Sequence, residues 1–135
     1  MGQPAARQSD SVRGADTHLV LVPAPPGQPV PTLIGGHVFS GPITSGCVPS
    51  VLIDGVPAAV QGSVARNVPP HVPMPPGTAF VRQPSNRGVV SRGSATVRIG
   101  GAPAARSGDP VRSCNDPVDR ETSAIVSGSG TVMIG

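Results

Sequence analysis

The chain has 135 residues, the usual size of one domain, so residues 1–135 are expected to fold as a single unit. It contains no Trp or Tyr and only two Phe, so Val, Ile and Leu must form the core in place of large aromatic side chains. The net charge of +3 comes from dispersed single arginines, and this dispersal, with so few aromatic rings for base stacking, argues against nucleic-acid binding.

A repeated phrase organises the chain from end to end. Similar stretches at about 41–59 and 88–106 contain Pro-Ala-Ala at 57–59 and 103–105. A truncated copy at 124–135 stops before the phrase, and the phrase occurs by itself near the start at 4–6. The content of 18 Pro and 18 Gly would indicate disorder in a sequence without a period. Because these residues recur at fixed places, the sequence instead predicts a fold built from one repeated unit.

Each copy is predicted to be a β-hairpin in which two short strands flank a glycine turn. A second turn of the form X-Gly then leads into the Pro-Ala-Ala phrase. Two Pro-rich stretches are expected to run extended as connectors. The prediction is an all-β fold with first strands at 42–45, 89–92 and 124–127, second strands at 50–53, 94–99 and 131–134, and connectors at about 20–31 and 67–84.

Four side chains form a predicted metal site. His18, His71 and Cys114 each follow a Pro-Ala-Ala phrase, and His37 lies at the glycine turn that enters the first full hairpin. Three imidazoles and one thiolate suit tetrahedral Zn²⁺, and four protein ligands leave no open position, so the expected site is structural. The alternative is that scattered His and Cys are ordinary surface or packing residues. Their coincidence with the repeat favours the metal site.

The other polar residues of the repeat have simpler expected roles. Cys47 lies at a hairpin turn where the other copies have serine, so a turn role is expected for it. Arg7 and Arg106 are expected to pair with the nearby carboxylates Asp10 and Asp109 or with backbone carbonyls, and the alternative is that they bind a substrate. In the middle copy Val60 and Ser63 stand at these two positions, so no such pair is expected there.

Catalytic motifs are not found in the sequence. There is no His-Glu-x-x-His, no Gly-x-Ser-x-Gly and no phosphate-binding loop with lysine, and the one glutamate is Glu121. The prediction is therefore that the protein is not an enzyme.

The amino terminus shows no signal peptide, because no positively charged start is followed by an apolar stretch. The most apolar segment is far too short to cross a membrane. The expectation is synthesis in the cytoplasm and departure by another route, with Cys47 and Cys114 free or metal-bound rather than joined in a disulfide.

These phrases resemble those of the PAAR-repeat proteins. The resemblance covers the whole chain and rests on Pro4-Ala-Ala-Arg7, Pro103-Ala-Ala-Arg106, the degenerate Pro57-Ala-Ala-Val60 and the hairpin ends at residues 55, 101 and 135. It implies a small cone of β-hairpins with quasi-threefold internal symmetry. Such a cone caps the trimeric β-helical spike of a contractile injection system, which is a type VI secretion system, an extracellular phage-tail-like particle or a phage baseplate. The tip is then driven through the target envelope.

The resemblance also implies site residues and partners. The zinc ligands carried over to this chain are His18, His37, His71 and Cys114, with one zinc per chain near the apex. One tip would cap each spike trimer, through a base to which Val97, Ile99, Val132 and Ile134 are expected to contribute. We expect a bare tip without a toxin domain, carried by an injection particle outside the cell or into the target, in transient contact with the target membrane.

Three other functions remain open on the sequence. The first is a zinc-dependent hydrolase or toxin in which His18, His37 and His71 hold a catalytic zinc with water as the fourth ligand. The second is an adaptor that loads an effector cargo onto the spike, to which the insert at 67–84 would contribute. The third is a self-standing adhesive or binding module.

Overall fold

The structure is a computed structural model that describes residues 2–135. The described residues form β-strands and no helix, which confirms the all-β prediction. No helix long and apolar enough to cross a membrane therefore occurs among them. In chain order the strands are β1 (Gln3–Pro4), β2 (Ser11–Val22), β3 (Val30–Ser45), β4 (Val48–Ile53), β5 (Val56–Ala58), β6 (Val64–Arg66), β7 (Ala79–Phe80), β8 (Arg87–Val90), β9 (Arg98–Ile99), β10 (Ala102–Pro103), β11 (Pro110–Ser113), β12 (Arg120–Ile125) and β13 (Met133–Ile134).

Seven strands form one antiparallel sheet in the order β12-β11-β8-β6-β3-β2-β7. Strand β12 also pairs with β2, so six of the seven strands close into a ring. The longest pairing joins β2 to β3, from Ser11 opposite Pro42 to Val22 opposite Val30. Alternate residues of β2 point inward, as the period of two in its sequence predicts.

The core forms two clusters of mostly small and branched side chains. Phe39 is its only large aromatic residue, and alanines of the repeated phrase allow the neighbouring backbones to pack closely. The first cluster lies inside the large sheet and contains Ala6, Val12, Phe39, Ile43, Ala59, Ala65, Val90, Ala105, Val111, Cys114 and Ile125. The second lies among the short hairpins and contains Ala5, Ile53, Ala58, Ala104 and Ile134, with Val97 and Ile99 packed against it.

Hairpins form in the repeats, but the predicted pairing of the first strand of each copy with its second strand is wrong. The second strand of each copy turns back onto the Pro-Ala phrase, so β4 pairs with β5 and β9 with β10. In the truncated copy the last strand, β13, pairs with β1 from the other end of the chain. The predicted first strands belong to the large sheet instead. In the second full copy, Gly93 lies between the strand of the large sheet and the short hairpin. A side chain does not fit there, because a Cβ on Gly93 would lie 2.6 Å from the carbonyl oxygen of Ala104.

The two Pro-rich stretches also differ from each other. Residues 20–31 are not a separate connector, because Val20–Val22 pairs with Val30–Thr32 as the distal part of the β2–β3 hairpin. Their alternating Val and Leu side chains allow the ladder to continue up to a short turn. Residues 67–84 do form a long segment, and its one strand, β7, lies along β2.

Candidate metal centre

A register shift in the β2–β3 hairpin positions the first residues of the site. Asp16 lies opposite His37 and His18 lies opposite Ile34, so the two strands are out of step between these pairs. Such bulges re-aim side chains and are common beside functional sites. Asp16 and His18 both point inward, and their exposed fractions are 0% and 1%. The hairpin thus brings three polar side chains to one buried place.

Four possible ligand atoms converge there, one each from Asp16, His18, His71 and Cys114, all within 4.8 Å of one another. The Sγ atom of Cys114 lies 3.8 Å from Nε2 of His18 and 3.6 Å from Oδ2 of Asp16. A tetrahedral zinc with bonds of about 2.3 Å to sulfur and about 2.0 Å to nitrogen would hold such atoms roughly 3.6 Å apart. Three of the four predicted residues are therefore together, and Asp16, which was not predicted, is with them.

The fourth predicted residue, His37, lies beside this group. Its ring centroid is 5.2 Å from that of His18 and 5.7 Å from that of His71. Its Nε2 accepts a hydrogen bond from the backbone amide of Met74, while its Nδ1 is buried without a hydrogen-bond partner among residues 2–135. Because Nε2 accepts, Nδ1 carries the proton of the neutral ring, and His37 can bind a cation through Nδ1 only after that proton moves to Nε2. The converging donors of Asp16, His18, His71 and Cys114 themselves fit a metal ion.

Burial governs the protonation of these groups. It raises the pKa of Cys114 to about 11, with a further contribution from the Asp16 carboxylate, so the thiol is neutral unless a cation displaces its proton. Burial also lowers the pKa of His18 and of His37 below their ordinary values. Neutral imidazole is the form that binds metals, so both histidines are prepared as ligands.

A carboxylate orients His18 from behind. The Nδ1 atom of His18 lies 3.3 Å from Oδ2 of Asp116, which also accepts the backbone amide of Leu19. Arg82 pairs with the other oxygen of Asp116. A histidine that donates one nitrogen to a carboxylate presents the other to a metal, and here that other atom, Nε2, faces Cys114.

Asp16 is held from several strands. Its Oδ1 accepts the hydroxyls of Ser113 at 2.5 Å and Thr122 at 2.9 Å, and its Oδ2 lies 2.8 Å from Nε2 of His71. Burial acts to raise the pKa of Asp16, but the hydrogen bonds from His71, Ser113 and Thr122 together lower it below the ordinary value. The carboxylate is therefore ionised although it is fully buried.

The insert at 67–84 encloses the site. It supplies His71, whose backbone amide is anchored by the Asn86 side chain. It returns along β2 so that the ring of Phe80 packs edge-on against His18 and also contacts His37. Arg82, at its end, pairs with Asp116. The insert therefore contributes a possible ligand in His71, an apolar contact in Phe80 and an ion pair through Arg82.

Two carboxylates of the site, Asp16 and Asp116, were not predicted from the sequence. Asp16 had a detectable signal, because it lies two residues before His18 and a strand of period two places both on one face. For Asp116, the separation from His18 along the chain left no comparable signal.

A comparison with known protein families supports the resemblance that the repeated phrases indicate. Residues 82–135 match the PAAR motif family. No curated protein matches the sequence. The matched region contains Cys114, Asp116 and the second full copy of the phrase, and the Pro-Ala-Ala phrase occurs in two further places in the remaining chain. The PAAR motif at residues 82–135 therefore supports the resemblance of the chain to the PAAR-repeat proteins.

Proposed function

We propose that this chain is the metal-stabilised tip that caps the trimeric β-helical spike of a contractile injection system and helps to pierce the target envelope. PAAR-repeat proteins act as spike tips of such systems, which is the general function indicated by the motif at 82–135. The observation that carries the proposal is the buried convergence of His18, His71 and Cys114 in a chain with this motif. A structural tip requires no catalysis, and the protein is proposed not to be an enzyme.

The proposed metal is one structural Zn²⁺ per chain, held by His18, His37, His71 and Cys114. The ion would add folding free energy to a core that has one buried large aromatic residue. Of the four proposed ligands, His37 would have to change its present contacts the most in order to bind the ion. Ligation through its Nδ1 would leave the ring proton on Nε2, so the hydrogen bond from Met74 would have to break.

The spike-binding face is proposed to lie on the short hairpins. Leu52 in β4 and Met133 in β13 are 59% and 57% exposed, so both apolar side chains are accessible to a partner. Of the residues expected at this face, Ile134 is buried, so it supports the face from inside. A single tip on a threefold spike would need the quasi-threefold cone that the repeat implies.

The proposed setting is an injection particle, since PAAR-repeat proteins are parts of secretion or injection particles. The tip would reach the outside of the cell or the target cell with the spike and contact the target membrane transiently. An effector cargo on the insert at 67–84 would travel with it.

The metal is tested by elemental mass spectrometry of the purified protein and of Cys114→Ser, His71→Ala and His37→Ala. We expect one zinc per chain in the wild type, and loss of zinc together with a lower melting temperature in each variant. Cys47→Ser, a change of the other cysteine, should keep its zinc. Zinc retained in Cys114→Ser would contradict the closed site and favour a catalytic zinc on histidines.

The same preparations test the spike partner. Immobilised trimeric β-helical spike protein should capture the zinc-loaded chain, and Leu52→Arg should abolish capture without changing the zinc content or the melting temperature. Val72→Arg is the matched control, because Val72 is also exposed but lies in the insert. Zinc-loaded protein that no spike captures would refute the tip function and favour a self-standing binding module.

A further inference from the structure

We propose that Asp16 is a functional member of the metal centre, where its buried carboxylate balances the charge of the cation. This inference rests on the metal site proposed above and concerns a residue outside the four proposed ligands.

The first argument is the pairing of buried carboxylates in the described part of the chain. Each of the others has an arginine partner, whereas the one ion-pair partner of Asp16 is a histidine at 2.8 Å. The arginine pairs are Asp10 with Arg7, Asp109 with Arg106 and Asp116 with Arg82. A buried carboxylate is costly without a cation, so Asp16 is the one whose full countercharge remains to be supplied.

The second argument is the orientation of the two oxygens. Oδ1 accepts hydroxyl groups from Ser113 and Thr122, which favour the ionised form. Oδ2 is turned to the cluster, 2.8 Å from His71 and 3.6 Å from the Cys114 sulfur. Without a metal the Cys114 thiol donates a hydrogen bond to this oxygen. When a metal displaces the thiol proton, the carboxylate and the thiolate repel each other unless the cation lies beside both of them.

The third argument is the charge of the complete centre. A divalent cation with one thiolate and three neutral imidazoles keeps one unit of positive charge, and a buried site disfavours net charge. The negative charge of the Asp16 carboxylate neutralises this remaining positive charge. Asp116 does not serve this purpose, because Arg82 already neutralises it.

The test is Asp16→Asn, which keeps the shape and an acceptor oxygen but removes the charge. Zn²⁺ affinity, measured by competition with a chromophoric chelator, should fall by at least about tenfold, as is usual when a group behind the ligands is lost. With Co²⁺ as the probe, the thiolate charge-transfer band should persist, because Cys114 still binds, while the visible ligand-field bands should shift.

Asp109→Asn is the matched control. It removes a buried carboxylate from an arginine pair outside the cluster, so it should lower stability and leave Zn²⁺ affinity and the Co²⁺ spectrum unchanged. If Asp16→Asn does not fold without metal, the zinc concentration at the midpoint of metal-driven folding replaces the affinity, and a midpoint raised to the same degree supports the proposal.

Equal affinity and an unchanged spectrum in Asp16→Asn, with zinc bound tightly by the wild type, would overturn this inference alone. A wild-type protein that binds no zinc would overturn it together with the metal site on which it rests.

Discussion

At the scale of single residues, a side-chain contact stabilises the turn after each Pro-Ala-Ala phrase. Arg7 pairs with Asp10 and Arg106 pairs with Asp109, which confirms the predicted pairs. Each carboxylate also accepts the backbone amide of its arginine. In the middle copy the hydroxyl of Ser63 accepts the amide of Val60, so the amide contact survives where the ion pair is lost.

Asp54 is another carboxylate that stabilises a turn, and its charge makes the stability of the protein depend on pH. Asp54, in a hairpin turn, accepts the hydroxyls of Ser129 and Thr131 and pairs with Arg7. The hydroxyl hydrogen bonds, with Arg7, lower the pKa of Asp54 below its ordinary value of 3.8. Its contribution to stability is therefore complete above that value and is lost as the pH falls through the lowered pKa.

Asp54→Asn tests this contribution. Asn tolerates the positive φ of 53° at this position, so the turn itself should survive. Urea unfolding should show the variant less stable than the wild type at pH 7, and the difference should close in strong acid, below the ordinary pKa. Asp119→Asn, the same change at an exposed residue, should leave stability at pH 7 unaltered. A difference for Asp54→Asn that persists unchanged in strong acid would contradict the role of its charge.

At the scale of elements, glycine allows β3 to cross the neighbouring chain. Gly41 pairs with Val12, and a Cβ built on it would lie 1.7 Å from the carbonyl oxygen of Arg66. That neighbour is backbone and cannot rotate away. The closed ring of strands thus depends on the smallest residue at this position.

Gly41→Ala should therefore destabilise the protein by about 3 kcal/mol in denaturant unfolding, because the overpacked backbone must shift. The control is Gly130→Ala, where nothing lies within 4 Å of the added Cβ. Its effect should stay within about 0.5 kcal/mol. Equal stabilities of the two variants would show that the strands separate easily at the crossing.

The strands of the repeated stretches were readable from the sequence, but their partners were not. Period-two alternation identified the strands, and the spacing of His18, His71 and Cys114 in the repeat indicated the site. Strand pairing depends on contacts between distant residues, as between β13 and β1, and local pattern carries no signal for these. No strand was predicted before residue 42, so β2 and most of β3 were missed, and residues 20–31 were expected to be a connector because they are rich in proline.

At the scale of the whole molecule, the three Pro-Ala-Ala phrases bind one another in a cycle. The amide of Ala6 donates to the carbonyl of Ala105, that of Ala105 to Ala59, and that of Ala59 to Ala6, each at 3.0 Å. Every phrase thus depends on both of the others. The phrase at 4–6 is joined to the last copy by the pairing of β1 with β13 and by backbone hydrogen bonds of Ala5 with Val132 and Ser129, so the two ends of the chain complete the cycle.

This arrangement predicts that a circular permutant folds. Ile99 pairs with Ala102 across the turn Gly100-Gly101, and Ile134 pairs with Gln3 in the same way. Joining Gly135 directly to Gly2 would therefore create an equivalent two-residue glycine turn, without a linker. New ends can be opened between Gly27 and Gln28, which are exposed in the β2–β3 turn.

The permutant should keep the zinc content and a melting temperature close to that of the wild type, because the β1–β13 pairing becomes local while the β2–β3 pairing loses its connecting turn, and the two changes in loop-closure entropy oppose each other. A chain in the original order with a short Gly-Ser insertion after Gly27 controls for damage at the new opening. Deleting residues 131–135 should lower the melting temperature, since the buried amide of Ala5 loses the carbonyl of Val132. A permutant that fails to fold while the insertion control folds would mean that β13 and β1 do not meet in the register that closes the cycle.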